Sequence, residues 1–179
     1  MASVRAAVLV KPKTLDAREF ARPAIGLDDA LLRIEACGIC GSDYEQYEGA
    51  QPQHEDYTPY PVIPGHEPLG IIEEIGARAR ARWGVAEGDR VAVRSGYGCG
   101  HCEARARWEP RHCPKRGGTY GYTDVGKPPY IWGGYAVHTM SFPLEQAEDA
   151  IHALAGHVPG VNPIHLAIVP GAPRVTLPR

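Results

Sequence analysis

Short apolar runs separated by turn-forming residues make up most of the chain, and this pattern predicts strands. Val4–Val10 is an apolar, β-branched run that a proline closes, because proline cannot donate to a strand ladder. Within 30–36, Leu32, Ile34 and Ala36 alternate with residues that face the other way, as in a half-buried strand. Further strands are predicted at 69–76, 91–93, 133–139 and 165–169.

Helical periodicity occurs in one longer segment, at 144–155, where apolar residues share one face and acidic residues lie opposite. A short helix is predicted over Ser42–Tyr47, with Ser42 or Asp43 as the N-cap and Gly49 at its end. The alternating alanines and arginines of 77–82 predict a solvated connection. Together these patterns predict a mainly β fold with a few helices.

Two segments lack periodicity. Gln51–Pro64 contains four prolines and predicts an extended loop. Ser95–Pro129 is rich in Gly, Cys, Arg and Tyr, and an irregular segment of this length needs a staple of its own. We call residues 95–129 the cysteine lobe because Cys99, Cys102 and Cys113 lie in it.

Composition limits the classes of function. A chain of 179 residues with 44 % apolar residues is enough for one domain. Its net charge of -2 comes from interspersed charges, so the sequence predicts neither a nucleic-acid partner nor a membrane partner. No apolar run approaches the roughly 20 residues of a membrane helix and no signal peptide is visible, which favours a cytoplasmic protein. The five cysteines form two clusters that fit metal ligation in a reducing compartment better than a disulfide framework.

The side chains best suited to chemistry lie where predicted strands end. Cys40 follows one such strand, and His66 and Glu67 precede another. A thiolate, an imidazole and a carboxylate can together form a catalytic zinc site, and Ser42 adds a hydroxyl two residues after the thiol. Residue types alone leave other interpretations open. Cys37 and Cys40 also have the spacing of a thiol redox motif, and both are also typical of a protein core.

The order of the segments adds a family resemblance. The chain contains Ala36–Asp43 (ACGICGSD), Val62–Gly70 (VIPGHEPLG), Gly88–Val93 (GDRVAV), the cysteine lobe and Gly133–Ala136 (GGYA). In this order they closely resemble the zinc-dependent alcohol dehydrogenases of the medium-chain dehydrogenase/reductase family, over residues 1–138.

The resemblance implies a GroES-like catalytic domain, a partly open β-barrel with zinc at its cleft. Cys40 and His66 match the catalytic zinc ligands, and Glu67 matches an acidic neighbour that can enter the zinc sphere. Ser42 matches the hydroxyl that passes on the alcohol proton. Asp43 matches the carboxylate that orients the zinc-bound histidine, a support that ligating imidazoles generally need.

The reaction implied is the interconversion of a small-molecule alcohol and a carbonyl compound, with NAD(P) exchanging the hydride. Glu45 stands where many relatives have a histidine that relays the proton. We interpret Cys37 as a packed thiol rather than a ligand. Trp132 and Tyr135 either border a substrate cleft or pack in the core.

The cysteine lobe resembles a structural zinc site that is incomplete. The family pattern has four thiolates, Cys-x-x-Cys-x-x-Cys and a fourth eight residues later, but Arg105 stands at the third position. Cys99, Cys102 and Cys113 therefore predict a second site that is empty or weakly occupied.

A nicotinamide enzyme of this family also carries a Rossmann domain with a Gly-x-Gly-x-x-Gly turn. This sequence contains no such turn, so no NAD(P)-binding site is expected in it. Residues 139–179 are similar to the segment that follows the Rossmann domain in relatives and returns to the catalytic barrel.

We therefore expect that the nucleotide domain is deleted near Val137–Phe142 and that one zinc ligand is lost with it. Dehydrogenase turnover by this chain alone is not expected. An alternative is a non-catalytic GroES-like interaction module. In either case the surface exposed by the missing domain is a candidate for self-association.

Overall fold

The computed structural model of the protein describes residues 3–50, 60–98, 102–107, 112–114, 116–128, 130–137 and 166–168. In chain order the strands are β1 (Ser3–Lys11), β2 (Thr14–Ala21), β3 (Ala30–Ile39), β4 (Glu67–Ile75), β5 (Arg90–Ala92), β6 (Gly96–Gly98), β7 (Arg116–Thr119), β8 (Ala136–Val137) and β9 (Leu166–Ile168). The helices are α1 (Gly41–Glu48), α2 (Ala77–Trp83) and α3 (Glu103–Ala106). Within these ranges no helix is both long and apolar enough to cross a membrane.

The strands form three antiparallel sheets. The first has the order β2-β1-β8, the second β5-β4-β3-β9, and the third is the pair β6-β7 in the cysteine lobe. None of them closes on itself within the part of the chain that is described. The predicted mainly β fold is confirmed, with sheets that stay open over the described residues.

The core lies between β1, the end of β3 and the segment that leads into β4. Its fully buried side chains include Val8, Leu9, Ile39, Ile63 and Tyr135. β1 is covered on both faces, which explains its continuous apolar run.

The segment before β4 is held from two sides. Leu9 and Val62 exchange two backbone hydrogen bonds, of 2.8 and 3.1 Å between N and O. Gly134 N donates to Gly65 O at 2.8 Å, and Tyr135 N donates to Pro64 O at 3.1 Å. The position of the next residue along the chain, His66, is therefore fixed by the backbone of its neighbours.

The connection predicted at 77–82 is solvated as expected, with Ala79 alone buried, but its residues form helix α2, which was not predicted. Alanine and arginine are both good helix formers, and Gly84 ends the helix with φ of 66°. Arg78 and Arg82 both donate to the Asp28 carboxylate. This tertiary contact with a distant part of the sequence explains the error.

The other predicted elements in the described ranges are present, with longer or shorter bounds. Helix α1 ends at Gly49 as expected, but its N-cap is Cys40, so Ser42 and Asp43 lie inside the helix. Strand β2 was not predicted. The helix predicted at 144–155 and residues 51–59 of the predicted loop lie outside the described residues.

Candidate metal centre

Antiparallel pairing of β3 and β4 brings the two halves of the site together. Gly38, near the end of β3, pairs with Glu67, the first residue of β4. Cys40 follows β3 and His66 precedes β4, so both lie at the same end of this pair of antiparallel strands. Side chains 26 positions apart in the chain therefore meet at a place that two strands hold in register.

Three potential ligand atoms lie close together there. The Sγ of Cys40 is 3.2 Å from Nε2 of His66. The ligand atoms of Cys40, His66 and Glu67 all lie within 4.8 Å of one another. The Oγ of Ser42 completes the group, at 3.0 Å from Sγ of Cys40 and 3.4 Å from Nε2 of His66. Cys40, Ser42 and His66 are half-buried, whereas Glu67 is exposed.

The position of the Glu67 carboxylate depends on a glycine across the sheet. A Cβ on Gly38 would overlap Oε2 of Glu67, so the carboxylate lies directly over the residue with which Glu67 pairs. A glycine inside a strand often marks such a close approach. Sequence reasoning did not single out Gly38, because the strand was predicted over 30–36 and only the structure extends it to Ile39.

Asp43 links the loop to the histidine. Its side chain is buried, with Oδ2 accepting from the backbone N of Cys40 at 2.9 Å and Oδ1 at 3.4 Å from Nδ1 of His66. Burial lowers the pKa of His66, but the Asp43 carboxylate, followed by Cys40, outweighs burial and raises this pKa to about 9. With Nδ1 facing the carboxylate, Nε2 points toward Cys40 and Ser42.

Tyr122 forms one wall of the site. Its ring lies 5.7 Å from the imidazole of His66, between centroids, and its hydroxyl donates to the backbone O of Ser42 at 3.4 Å. Tyr122 is buried. Nothing in its sequence context indicated this role, because it lies in the cysteine lobe far from the ligands in the chain.

A family profile described as the alcohol dehydrogenase GroES-like domain matches residues 26–146. The chain belongs to this family. Residues 26–146 include the whole constellation of Cys40, Ser42, Asp43, His66 and Glu67. The family resemblance proposed from the sequence is confirmed.

Relatives extend the likeness over most of the chain. A "probable alcohol dehydrogenase" of Mycobacterium tuberculosis is 45% identical over 144 residues, which cover 79% of this chain and 38% of the relative. A cobalt- and zinc-bound thermostable alcohol dehydrogenase of Pyrobaculum aerophilum superposes with a TM-score of 0.58 at 31% identity, covering 75% of this chain and 37% of that one. A zinc-binding dehydrogenase of Sinorhizobium meliloti bound to NADP gives a TM-score of 0.58 at 29% identity, covering 78% of this chain and 36% of that one. The chain thus spans less than half the length of these relatives.

The residues at the site fit a zinc ion. Zinc bonds of about 2.3 Å to sulfur and about 2.0 Å to nitrogen place the two ligand atoms of a tetrahedral site about 3.5 Å apart. The observed separation of Cys40 Sγ and His66 Nε2 is 3.2 Å. A soft thiolate with a neutral imidazole and a carboxylate is a donor set that zinc accepts.

Cys37 lies behind this group rather than in it. It is fully buried, and its Sγ packs where a Cβ on Gly134 would otherwise stand. Burial raises the pKa of the Cys37 thiol to about 12. A thiol that stays protonated is a poor nucleophile, so this geometry disfavours the redox interpretation of Cys37 and Cys40.

The remaining predicted residues are only partly described. In the cysteine lobe, Cys102 is half-buried just before α3, Arg105 belongs to α3, and Cys113 is buried. Cys99 lies outside the described residues. Glu45 is exposed on α1. Trp132 is half-buried and its indole lies 6.2 Å from the Tyr120 ring, between centroids. Tyr135 is in the core.

Proposed function

We propose that this chain is the catalytic, zinc-binding domain of an alcohol dehydrogenase that interconverts a small-molecule alcohol and a carbonyl compound. The observation that carries the proposal is the approach of Cys40 Sγ and His66 Nε2 to 3.2 Å, with the Glu67 carboxylate beside them. Family membership supports the same assignment, since the matching profile describes an alcohol dehydrogenase domain.

Each residue has a distinct role in the proposal. Cys40, His66 and Glu67 would hold the zinc ion, which supplies a Lewis acid that lowers the pKa of a bound hydroxyl. Ser42, within 3.4 Å of the His66 Nε2 atom, would accept the proton that leaves the alcohol while it releases its own hydroxyl proton toward solvent. Asp43 keeps Nδ1 of His66 on the side away from the metal, which fixes the ring orientation.

We place the hydride acceptor outside this chain. The sequence has no Gly-x-Gly-x-x-Gly turn, whereas a structural relative binds NADP. In the proposed arrangement residues 1–138 are the catalytic domain and 139–179 return to it. The pairing of β9 with β3, with Cys37 opposite Ile168, supports that return. The purified chain should therefore show no NAD(P)-dependent alcohol oxidation by itself.

The second metal site in the cysteine lobe is proposed to be weak or empty. Cys99, Cys102 and Cys113 supply three thiols, and Arg105 occupies the third of the four ligand positions. Loss of one ligand from a structural zinc site removes a substantial part of its binding energy.

A cobalt titration tests the proposal. Cobalt(II) reports thiolate ligation through its absorption, and we expect one equivalent to bind the wild-type chain. Cys40→Ala and His66→Ala should abolish this signal, and the matched Cys99→Ala variant should keep it. Retention of the signal in Cys40→Ala together with its loss in Cys99→Ala would move the metal to the cysteine lobe and refute the assignment.

A further inference from the structure

Tyr135 lies beside the metal centre with its backbone fixed. Its N donates to Pro64 O and its O accepts from Ala7 N, both at 3.1 Å. Its side chain is buried, and its ring covers Gly65, where an added Cβ would lie 2.6 Å from Cδ1 of the tyrosine. Gly65 directly precedes the candidate ligand His66. The ring therefore packs on the residue before His66, and its hydroxyl is buried in the interior.

Among the described residues, the buried side-chain atoms without a hydrogen-bond partner include the Tyr135 hydroxyl and Oε1 of Gln46. They also include Oδ1 of Asp43 and Nδ1 of His66, which face each other at 3.4 Å, beyond the length of a good hydrogen bond. Leaving such groups unpaired in the interior costs stability, so each normally has a partner. The Tyr135 hydroxyl and a protonated Nδ1 of His66 are donors, whereas Oδ1 of Asp43 and Oε1 of Gln46 are acceptors. The two kinds are thus complementary.

The segments that carry Asp43, Gln46 and Tyr135 pack against one another through two glycines. Asp43 and Gln46 lie three positions apart on the buried face of α1. Nε2 of Gln46 donates to Gly121 O at 2.8 Å, and an added Cβ on Gly121 would lie 3.1 Å from the backbone of Gly65. Gly65 is the residue that the Tyr135 ring covers.

The electrostatics agree with this placement. Burial raises the pKa of Tyr135 well above its usual value, and the charge of Asp43 is the next cause, ahead of Cys37 and Cys40. The hydroxyl thus feels the Asp43 carboxylate more strongly than either thiol.

We propose that Tyr135 is a positioning residue of the metal centre, whose hydroxyl holds Oδ1 of Asp43 through one shared water molecule. A water molecule can accept a hydrogen bond from the tyrosine hydroxyl and donate one hydrogen bond each to Oδ1 of Asp43 and Oε1 of Gln46. This arrangement satisfies all three groups. The carboxylate is then held on both sides, since its Oδ2 already accepts from the Cys40 backbone. Tyr135 thereby fixes the partner that orients His66. The link to metal binding rests on the proposed function, whereas the link between Tyr135 and Asp43 does not.

The test compares Tyr135→Phe with wild type in the full chain, by cobalt(II) affinity and by urea unfolding with a chelator and a reductant present. Removing the hydroxyl should weaken cobalt binding about tenfold or more, as loss of a partner behind a metal ligand generally does. In chelator the unfolding equilibrium constant should rise about fivefold or more, because a buried acceptor loses its donor. In the Asp43→Asn background the same change should have an effect several-fold smaller, because the two groups are coupled.

Tyr60→Phe is the matched control. The Tyr60 hydroxyl donates to the backbone O of Gln46 at 2.7 Å, on the same helix but away from the carboxylate. This variant should lose stability equally in wild-type and Asp43→Asn backgrounds and should leave cobalt affinity unchanged.

The sign of the Tyr135→Phe effect decides between the two interpretations. An unpaired buried hydroxyl destabilises the protein, so its removal would leave the chain as stable or more stable, and that result overturns the proposal. Additive effects with Asp43→Asn also overturn it. If Asp43→Asn does not fold, the sign of the single change still decides. If wild type binds no cobalt, the proposed function fails, and the unfolding measurements in chelator test the Tyr135–Asp43 link independently.

Discussion

The most informative perturbation is Asp43→Asn, because it removes one charge without removing the shape of the side chain. The amide oxygen of asparagine can still accept from the Cys40 backbone N, as Oδ2 of Asp43 does at 2.9 Å. The N-terminus of α1 is therefore preserved. What is lost is the charge that faces Nδ1 of His66 at 3.4 Å.

The magnitude follows from the histidine. Burial lowers the pKa of His66, but Asp43 and then Cys40 raise it from 6.5 to about 9. Since one pKa unit corresponds to 1.36 kcal/mol, this shift is worth roughly 3 kcal/mol in the metal-free chain. A raised folded-state pKa stabilises the protein fully below pH 6.5, and this stabilisation is lost as the pH rises through about 9.

The assay is urea unfolding of both proteins in chelator and reductant between pH 6 and pH 10. We expect the free energy of unfolding of the aspartate protein to exceed that of the asparagine variant most at pH 6. The difference should shrink as the pH rises to 10, by an amount on the order of these 3 kcal/mol, because Asp43 is the larger of the two groups that raise the His66 pKa. In a His66→Gln background the pH dependence of this difference should disappear. A difference that stays constant with pH would refute the electrostatic link between Asp43 and His66.

Three further predictions concern the site. Gly38→Ala should weaken zinc binding about tenfold, since its Cβ would displace the Glu67 carboxylate. Gly41→Ala is the control, because an added Cβ there meets nothing within 4 Å. Equal zinc affinities of the two variants in a calorimetric titration would contradict this prediction. Cys37→Ala should lower the free energy of unfolding by about 1 to 3 kcal/mol and leave the metal content unchanged, and loss of metal by elemental analysis would make Cys37 a ligand. Zinc affinity should rise as the pH increases from 6 to 9, because His66 must lose its proton to bind; a flat pH profile would argue against His66 as a ligand.

Much of the site was predictable because its ligands flank regular strands. The alternation of Leu32, Ile34 and Ala36 predicted a strand that ends near Cys40, and the structure extends β3 to Ile39. The apolar run at 69–76 similarly predicted β4. Hydrophobic periodicity is a local signal, so it located the elements from which the ligands emerge.

Features that depend on distant contacts were not predictable. β2 carries several charged residues and is mostly exposed, so it lacks an apolar face, and its pairing with β1 gives it strand structure. The wall made by Tyr122 arises where the cysteine lobe packs against α1, through the Tyr122 hydroxyl on Ser42 O and the Gln46 amide on Gly121 O. Periodicity does not report such contacts, because they join parts of the chain that are far apart in sequence.

The central claim is that one zinc ion binds between β3 and β4. Zinc-edge X-ray absorption of the chain loaded with one equivalent of zinc tests it most directly. The account predicts one sulfur ligand at about 2.3 Å and two or three nitrogen or oxygen ligands at about 2.0 to 2.2 Å. A shell of three or four sulfur ligands would place the ion in the cysteine lobe, and a shell without sulfur would exclude Cys40; either result would contradict the account.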